Sequence, residues 1–166
     1  MRETAPARPG PAPREGRRKS PRVSDLMSRE VITCSPDTDL ARVGWLLWEG
    51  DCGALPVLLG GEVVGMVTDR DLAIAAAMKP RPCTELRVSE AMSPADLALV
   101  RPDATLEEAL VVMGRCRVRR LPVVEGDGRL AGILSIGDLL RHPATPARLL
   151  LQTLGILSEP RMRATV

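Results

Sequence analysis

The chain has 166 residues, 45% of them hydrophobic and 27% charged, with a net charge of +2. That length suits one domain, or two small units that share a core. There is no Phe, no Tyr and two Trp, so the core is built from Leu, Val, Ile, Ala and Met, and an aromatic platform for stacking single-stranded nucleic acid is excluded. The charge is unevenly placed: residues 1–22 hold seven Arg/Lys against two Glu, and the remainder is mildly acidic. No apolar run reaches the length of a membrane span, and the basic N-terminus lacks the apolar segment of a secretory signal. No membrane role is expected, and the expected location is cytoplasmic. Four cysteines (Cys34, Cys52, Cys83, Cys116) lie far apart without a C-x-x-C, and His142 is the single histidine. Nothing here reads as a zinc ribbon, a thioredoxin-like redox motif or a Ser-His-Asp triad. The cysteines read as free thiols, with a redox or metal sensor as the other reading.

Residues 1–21 carry Pro6, Pro9, Pro11, Pro13 and Pro21 among Arg, Ala and Gly. Such a segment buries too little apolar surface to offset its ordering entropy and reads as a disordered basic tail. Order is expected from Val23, with one helical turn over 23–27. A short strand from Glu30 to Cys34 ends at Ser35-Pro36. Asp39 then caps a helix from Leu40 to about Gly50, with Leu40, Val43, Leu47 and Trp48 on one face. Ala54 to Leu58 is a strand, Gly60-Gly61 a hairpin turn, Glu62 to Val67 the return strand, and Asp69 to Met78 a second helix. Pro80 and Pro82 mark a linker. At the far end, Leu149, Leu150, Leu154 and Leu157 share one face of an amphipathic helix, expected to dock on its own domain or on a dimer mate.

The pattern then repeats. Val23-Ser24-Asp25-Leu26-Met27-Ser28 matches Val88-Ser89-Glu90-Ala91-Met92-Ser93. Leu55-Pro56-Val57 matches Leu121-Pro122-Val123 at an offset of 66, and Gly65-Met66-Val67-Thr68-Asp69-Arg70-Asp71-Leu72 matches Gly132-Ile133-Leu134-Ser135-Ile136-Gly137-Asp138-Leu139 at 67. The added residue falls in a hairpin, where insertions are tolerated. The expected organisation is a tail over 1–21, unit 1 over 22–79, a linker over 80–86, unit 2 over 87–142, and a C-terminal helix and tail over 143–166. Units this small need each other's surface.

Each repeated stretch is a strand that stops at a hydroxyl and turns into a helix. Thr68 with Asp71, and Ser135 with Asp138, are spaced as capping boxes. The same atoms suit a ligand. A helix start presents free N–H groups to a phosphate, and a carboxylate accepts both hydroxyls of a ribose.

Each unit resembles the CBS domain, named after cystathionine β-synthase, and the tandem is similar to a CBS pair, or Bateman module. The resemblance rests on Met27 to Thr33, the two Leu-Pro-Val strands, the motif at 65–72, and Arg117 to Val124. The compact form resembles small stand-alone bacterial CBS-pair proteins of the hypoxic-response type. It implies an α+β fold of two β-α-β-β-α units packed about a pseudo-twofold axis, with two clefts between them and homodimerisation through helices. It also implies adenosine-nucleotide binding. Thr68, Asp71, Ser135 and Asp138 would hold ribose or phosphate. A basic residue before the Leu-Pro would reach a phosphate, Arg120 first and Arg119 second. Gly53 and Ala54 would leave room for an adenine edge, and Ile32, Thr33, Leu99 and Val100 are candidate lining. Trp45 and Trp48 are expected in the core or a dimer interface.

The function expected from these readings is a non-enzymatic regulatory module, a homodimer that senses AMP, ADP or ATP and signals to an effector protein. It needs no cofactor and binds no metal. The alternatives are a ligand-free dimerisation or stress-response scaffold and a cysteine-based redox or metal sensor. Nucleic acid is not an expected partner.

Overall fold

The computed structural model describes residues 21–93 and 98–160. Nearly all of the proline-rich tail expected over 1–21, and the last six residues, lie outside them. The first element among the described residues is α1, Val23–Leu26. Helix α2, Leu40–Glu49, begins where the Asp39 side chain accepts from the Arg42 N–H. Strands β1, Ala54–Leu59, and β2, Glu62–Thr68, form an antiparallel hairpin around Gly60 and Gly61. Both glycines have positive φ, +62° and +92°, a conformation that favours Gly. Helix α3 runs Asp69–Met78. A 3₁₀ turn at Val88–Glu90 opens the second unit. It continues with α4, Leu106–Cys116, the hairpin β3, Arg120–Val124, and β4, Leu130–Ser135, and α5, Ile136–Arg141. Helix α6 spans Ala147–Ser158.

The molecule is an α+β pair of like units with two small sheets. The strand expected over Glu30–Cys34 is reduced to a single parallel bridge, Cys34 to Val57, repeated in unit 2 as Val100 to Val123. Ser35-Pro36 follows Cys34 directly, so the chain leaves the ladder after one pairing.

The join between the units is reciprocal. The chain at Val23–Ser28 crosses to unit 2, where the Val23 and Ser24 N–H groups donate to Ala104 and Pro102 and Ser28 pairs with Ile133. The chain at Val88–Ser93 makes the same exchange in reverse: Val88 and Ser89 donate to Thr38 and Pro36, and Ser93 pairs with Met66. Each core is therefore completed by the other repeat's leading segment. Val23 and Met27 lie in the cluster of Leu106, Leu110, Met113, Leu121 and Leu134. Leu86 and Val88 lie in that of Leu40, Val43, Leu55, Val57 and Val67.

This exchange explains the glycine that opens each repeated motif. A Cβ on Gly132 would sit 2.7 Å from the Ser28 carbonyl and 2.8 Å from Met27 Sδ. On Gly65 it would meet Met92 Sδ at 2.8 Å and the Ser93 carbonyl at 3.2 Å. Both glycines admit a strand-to-strand approach that a side chain would block.

The core is free of aromatics. Trp48 is 79% exposed and Trp45 is exposed too, with the Arg42 guanidinium 4.3 Å above its ring. Of the two places expected for them, the core is not where they lie. Helix α6 docks on its own domain: Thr153 Oγ1 donates to the Leu110 carbonyl at 3.4 Å, and Arg117 pairs with Glu159 at 2.7 Å. No helix among the described residues is long and apolar enough to cross a membrane.

The segment between the units is tied down at Glu90. Its carboxylate accepts from the Arg87 backbone N–H, from Lys79 and from Arg81. These bonds, the Arg87 N–H first, lower its pKa from 4.5 to about 2.

Two outcomes follow for stability. Gly132→Ala is expected to destabilise by about 1–3 kcal/mol, and by more than Gly65→Ala. At Gly132 the closest obstacle is a backbone carbonyl, whereas at Gly65 it is the flexible end of Met92. Denaturant unfolding of both variants measures the order, and a reversed order contradicts the packing described. Glu90→Gln is expected to lower the melting temperature by a constant amount above about pH 4.5. A depressed carboxyl stabilises above its unfolded pKa and loses that contribution as pH falls through the folded one. The gap to wild type should therefore close between pH 4.5 and about 2.

Candidate functional site

After the exchanged turn, residues 28–33 run back from unit 2 to unit 1 and wall a cleft of about 330 Å³, at the lower end of the range for ligand sites. Ser28, Glu30, Val31 and Ile32 line that wall. Unit 1 adds Gly50, Asp51 and Cys52 from the loop after α2, and Ala54 from the start of β1. Unit 2 adds Arg120, Ile133, Ser135 and Asp138. The cleft is thus built from both units and from the strand-to-helix turn of the second.

That turn is held by a closed set of bonds. Ser135 N–H and Oγ donate to Asp138 Oδ2 at 2.8 and 2.6 Å, and the Asp138 N–H donates to Ser135 Oγ at 3.2 Å. The first motif repeats the geometry. Thr68 N–H and Oγ1 donate to Asp71 Oδ2 at 2.9 and 2.7 Å, and the Asp71 N–H donates to Thr68 Oγ1 at 3.2 Å. Both motifs are capping boxes, and both leave the second carboxylate oxygen outside the box. Asp138 Oδ1 accepts from Arg141 Nη2 at 2.6 Å.

Arg120 opens β3 opposite Ser135 in the ladder, and its guanidinium has no ion-pair partner among the described residues. It reaches across the join to Gly53. A Cβ there would lie 3.5 Å from Arg120 Nη2 and 3.1 Å from Asp69 Oδ2. The space beside Gly53, expected for an adenine edge, is occupied by these two side chains. Ala54 pairs with Thr68 in the first hairpin, yet it lines the Ser135/Asp138 cleft.

The structure brings together Ile32, Ala54, Arg120, Ser135 and Asp138 of the candidates. Arg119 is exposed, and its carbonyl accepts from the Ile136 N–H. Thr33 lies just beyond the lining. Leu99 and Val100 line a different hollow of about 540 Å³ with Arg22, Arg101 and Asp103, which contains neither motif. Thr68 and Asp71 close their own capping box at the end of β2 and line neither hollow. Residues 94–97, which follow Ser93, lie outside those described. The lining residues Ser28, Glu30, Val31, Gly50, Asp51 and Ile133 were not among the binding residues expected from the sequence, and Cys52 was named there only as a thiol. Ser28 had a signal, since it matches Ser93 in the repeat. Asp51 and Cys52 follow a helix end at which Asp51 takes φ +44°, and no local pattern marks them as lining.

The thiols are free. Burial pushes Cys34 up to about 11, so it is not a thiolate at neutral pH. Among the described residues no three His, Cys, Asp or Glu side chains cluster as a metal site would require.

The model of the CBS domain family matches residues 23–77 and 88–145. The CBS domain-containing protein YhcV of Bacillus subtilis is 37% identical over 117 residues, which cover 70% of this chain and 81% of the relative. Among solved structures, Hypoxic Response Protein I with two coordinated zinc ions aligns at a TM-score of 0.67 and 29% identity, over 74% of this chain and 98% of that one. CBSX2 in complex with AMP, a CBS-pair protein of Arabidopsis thaliana, aligns at 0.61 and 29%, over 79% and 98%. Several inosine-5'-monophosphate dehydrogenases also match, but this chain spans only 22–25% of their length.

Proposed function

The chain belongs to the CBS-domain family, and we propose that it is a non-enzymatic regulatory module that binds AMP, ADP or ATP and reports occupancy to an effector protein. One observation carries this reading: the cleft at Ser135 and Asp138 is walled by both units and holds a hydroxyl, a carboxylate and the Arg120 guanidinium together. Asp138 accepts from the ribose, Ser135 keeps that carboxylate in place, and Arg120 faces the phosphate. Ile32, Val31 and Ile133 offer an apolar surface to the base. Thr68 and Asp71 take the equivalent roles in the first cleft. The AMP complex of CBSX2 supports the ligand class. The dehydrogenase matches, confined to a quarter of those enzymes, support a regulatory rather than a catalytic part.

A ligand bound across the join bears on the relative position of the units. It shifts that equilibrium only by its differential affinity for the two arrangements. Exposed Trp48 on α2 and exposed Ile74 and Met78 on α3 are the side chains against which a second copy packs in the proposed homodimer. Sedimentation equilibrium should give twice the chain mass for wild type and a monomer for Trp48→Glu; a monomeric wild type refutes this assembly.

Asp71→Ala and Asp138→Ala should each weaken nucleotide binding in calorimetry, and the double variant should abolish it. Each loses about 1 kcal/mol of stability, the worth of a cap. Wild type should melt higher with AMP, because a ligand selective for the folded state stabilises it. Undiminished binding by the double variant removes this reading, and a melting temperature unmoved by AMP, ADP and ATP favours a ligand-free scaffold.

A further inference from the structure

The two motifs differ at one carboxylate oxygen. We propose that Arg141 is a specificity-determining residue of the Ser135/Asp138 site, because its ion pair with Asp138 occupies an acceptor position that a ribose diol needs. This inference rests on the nucleotide reading above.

A carboxylate has about four acceptor positions, two on each oxygen. In both motifs the box fills two of them, on Oδ2. Asp71 Oδ1 has no partner among the described residues, so two positions remain there for the two hydroxyls of a ribose. Asp138 Oδ1 already accepts from Arg141 Nη2 at 2.6 Å, so one remains.

The arginine is also seated by its surroundings. It folds back along the first turn of α5, where a Cβ on Gly137 would lie 3.3 Å from Arg141 Nη1. The bare glycine leaves room for the guanidinium. At the matching positions the first unit has Arg70 for Gly137 and Ile74 for Arg141, so it lacks the bare glycine and carries an aliphatic side chain where Arg141 stands.

A ribonucleoside therefore meets two unlike sites. At Asp71 it can place both hydroxyls. At Asp138 it places one, or displaces Arg141 and then places both. When only the displaced fraction is competent, the apparent affinity falls by that fraction. Arg141 is 74% exposed and Asp138 16%, and such a half-solvated pair shifts affinity by about two- to fivefold.

The test isolates the second site in an Asp71→Ala background and uses two uncharged probes, adenosine and 2′-deoxyadenosine, so that phosphate contacts do not enter. By calorimetry, Asp71→Ala/Arg141→Ile should bind adenosine about two- to fivefold tighter than Asp71→Ala. It should also discriminate more strongly against 2′-deoxyadenosine, because the second hydroxyl regains a partner. Arg141→Lys should stay close to Asp71→Ala. Sodium chloride should narrow the gap by screening the exposed pair. Equal or weaker adenosine binding by the Ile variant, or unchanged discrimination, overturns the role of Arg141 while leaving the nucleotide reading intact. Failure of wild type to bind either adenosine or AMP overturns both.

Discussion

The rest of the structure depends on the crossing of two short segments over two glycines. Met27 and Ser28 lie against Gly132, and Met92 and Ser93 against Gly65, at distances that exclude a side chain. Each crossing carries a unit's leading turn into the other unit's core, where Val23 and Val88 are completely buried. A unit of this size buries too little apolar surface to be comfortably stable alone. The exchange remedies that twice over, and it removes the distinction between the core of a unit and the interface between units.

The candidate site is a by-product of the same crossings. To return from unit 2 to its own hairpin at Cys34, the chain spans the join, and the span becomes the cleft wall. The strand-to-helix turn of the opposite unit becomes the floor. The capping box then has a double consequence. It satisfies the Ser135 and Asp138 N–H groups at the start of α5, and it holds a carboxylate in one orientation beside the cleft without help from a ligand.

Much of this was legible in the sequence, for a physical reason: the repeated features are local. A hydroxyl three residues before an aspartate closes a cap where a strand pattern gives way to a helix pattern, so both boxes, and α3 at Asp69–Met78, follow from that spacing in its local setting. The pairing of leading segments with the other unit does not follow. A repeat offset states that 23–28 and 88–93 are alike, and says nothing about which of two like surfaces each one covers. Arg120 beside Gly53 was hidden for the same reason, since the contact joins residues that are local to nothing but the join. The strand expected at Glu30–Cys34 shows a different limit. Its composition suits a strand, but the chain is committed to bridging two units and pairs with β1 only at its last residue.

The crossings also impose an order in time. Ser28 pairs with Ile133, more than a hundred residues downstream, whereas Ser93 pairs with Met66 a short way back. As the chain leaves the ribosome, the first unit's core can close as soon as Leu86 and Val88 emerge. The second cannot close until β4 is made and Val23 and Met27, synthesised first, come back to it. Contacts of such long separation form slowly, because the loop must be closed before they are gained. The N-terminal turn is thus the earliest part of the fold to be made and among the last to be buried.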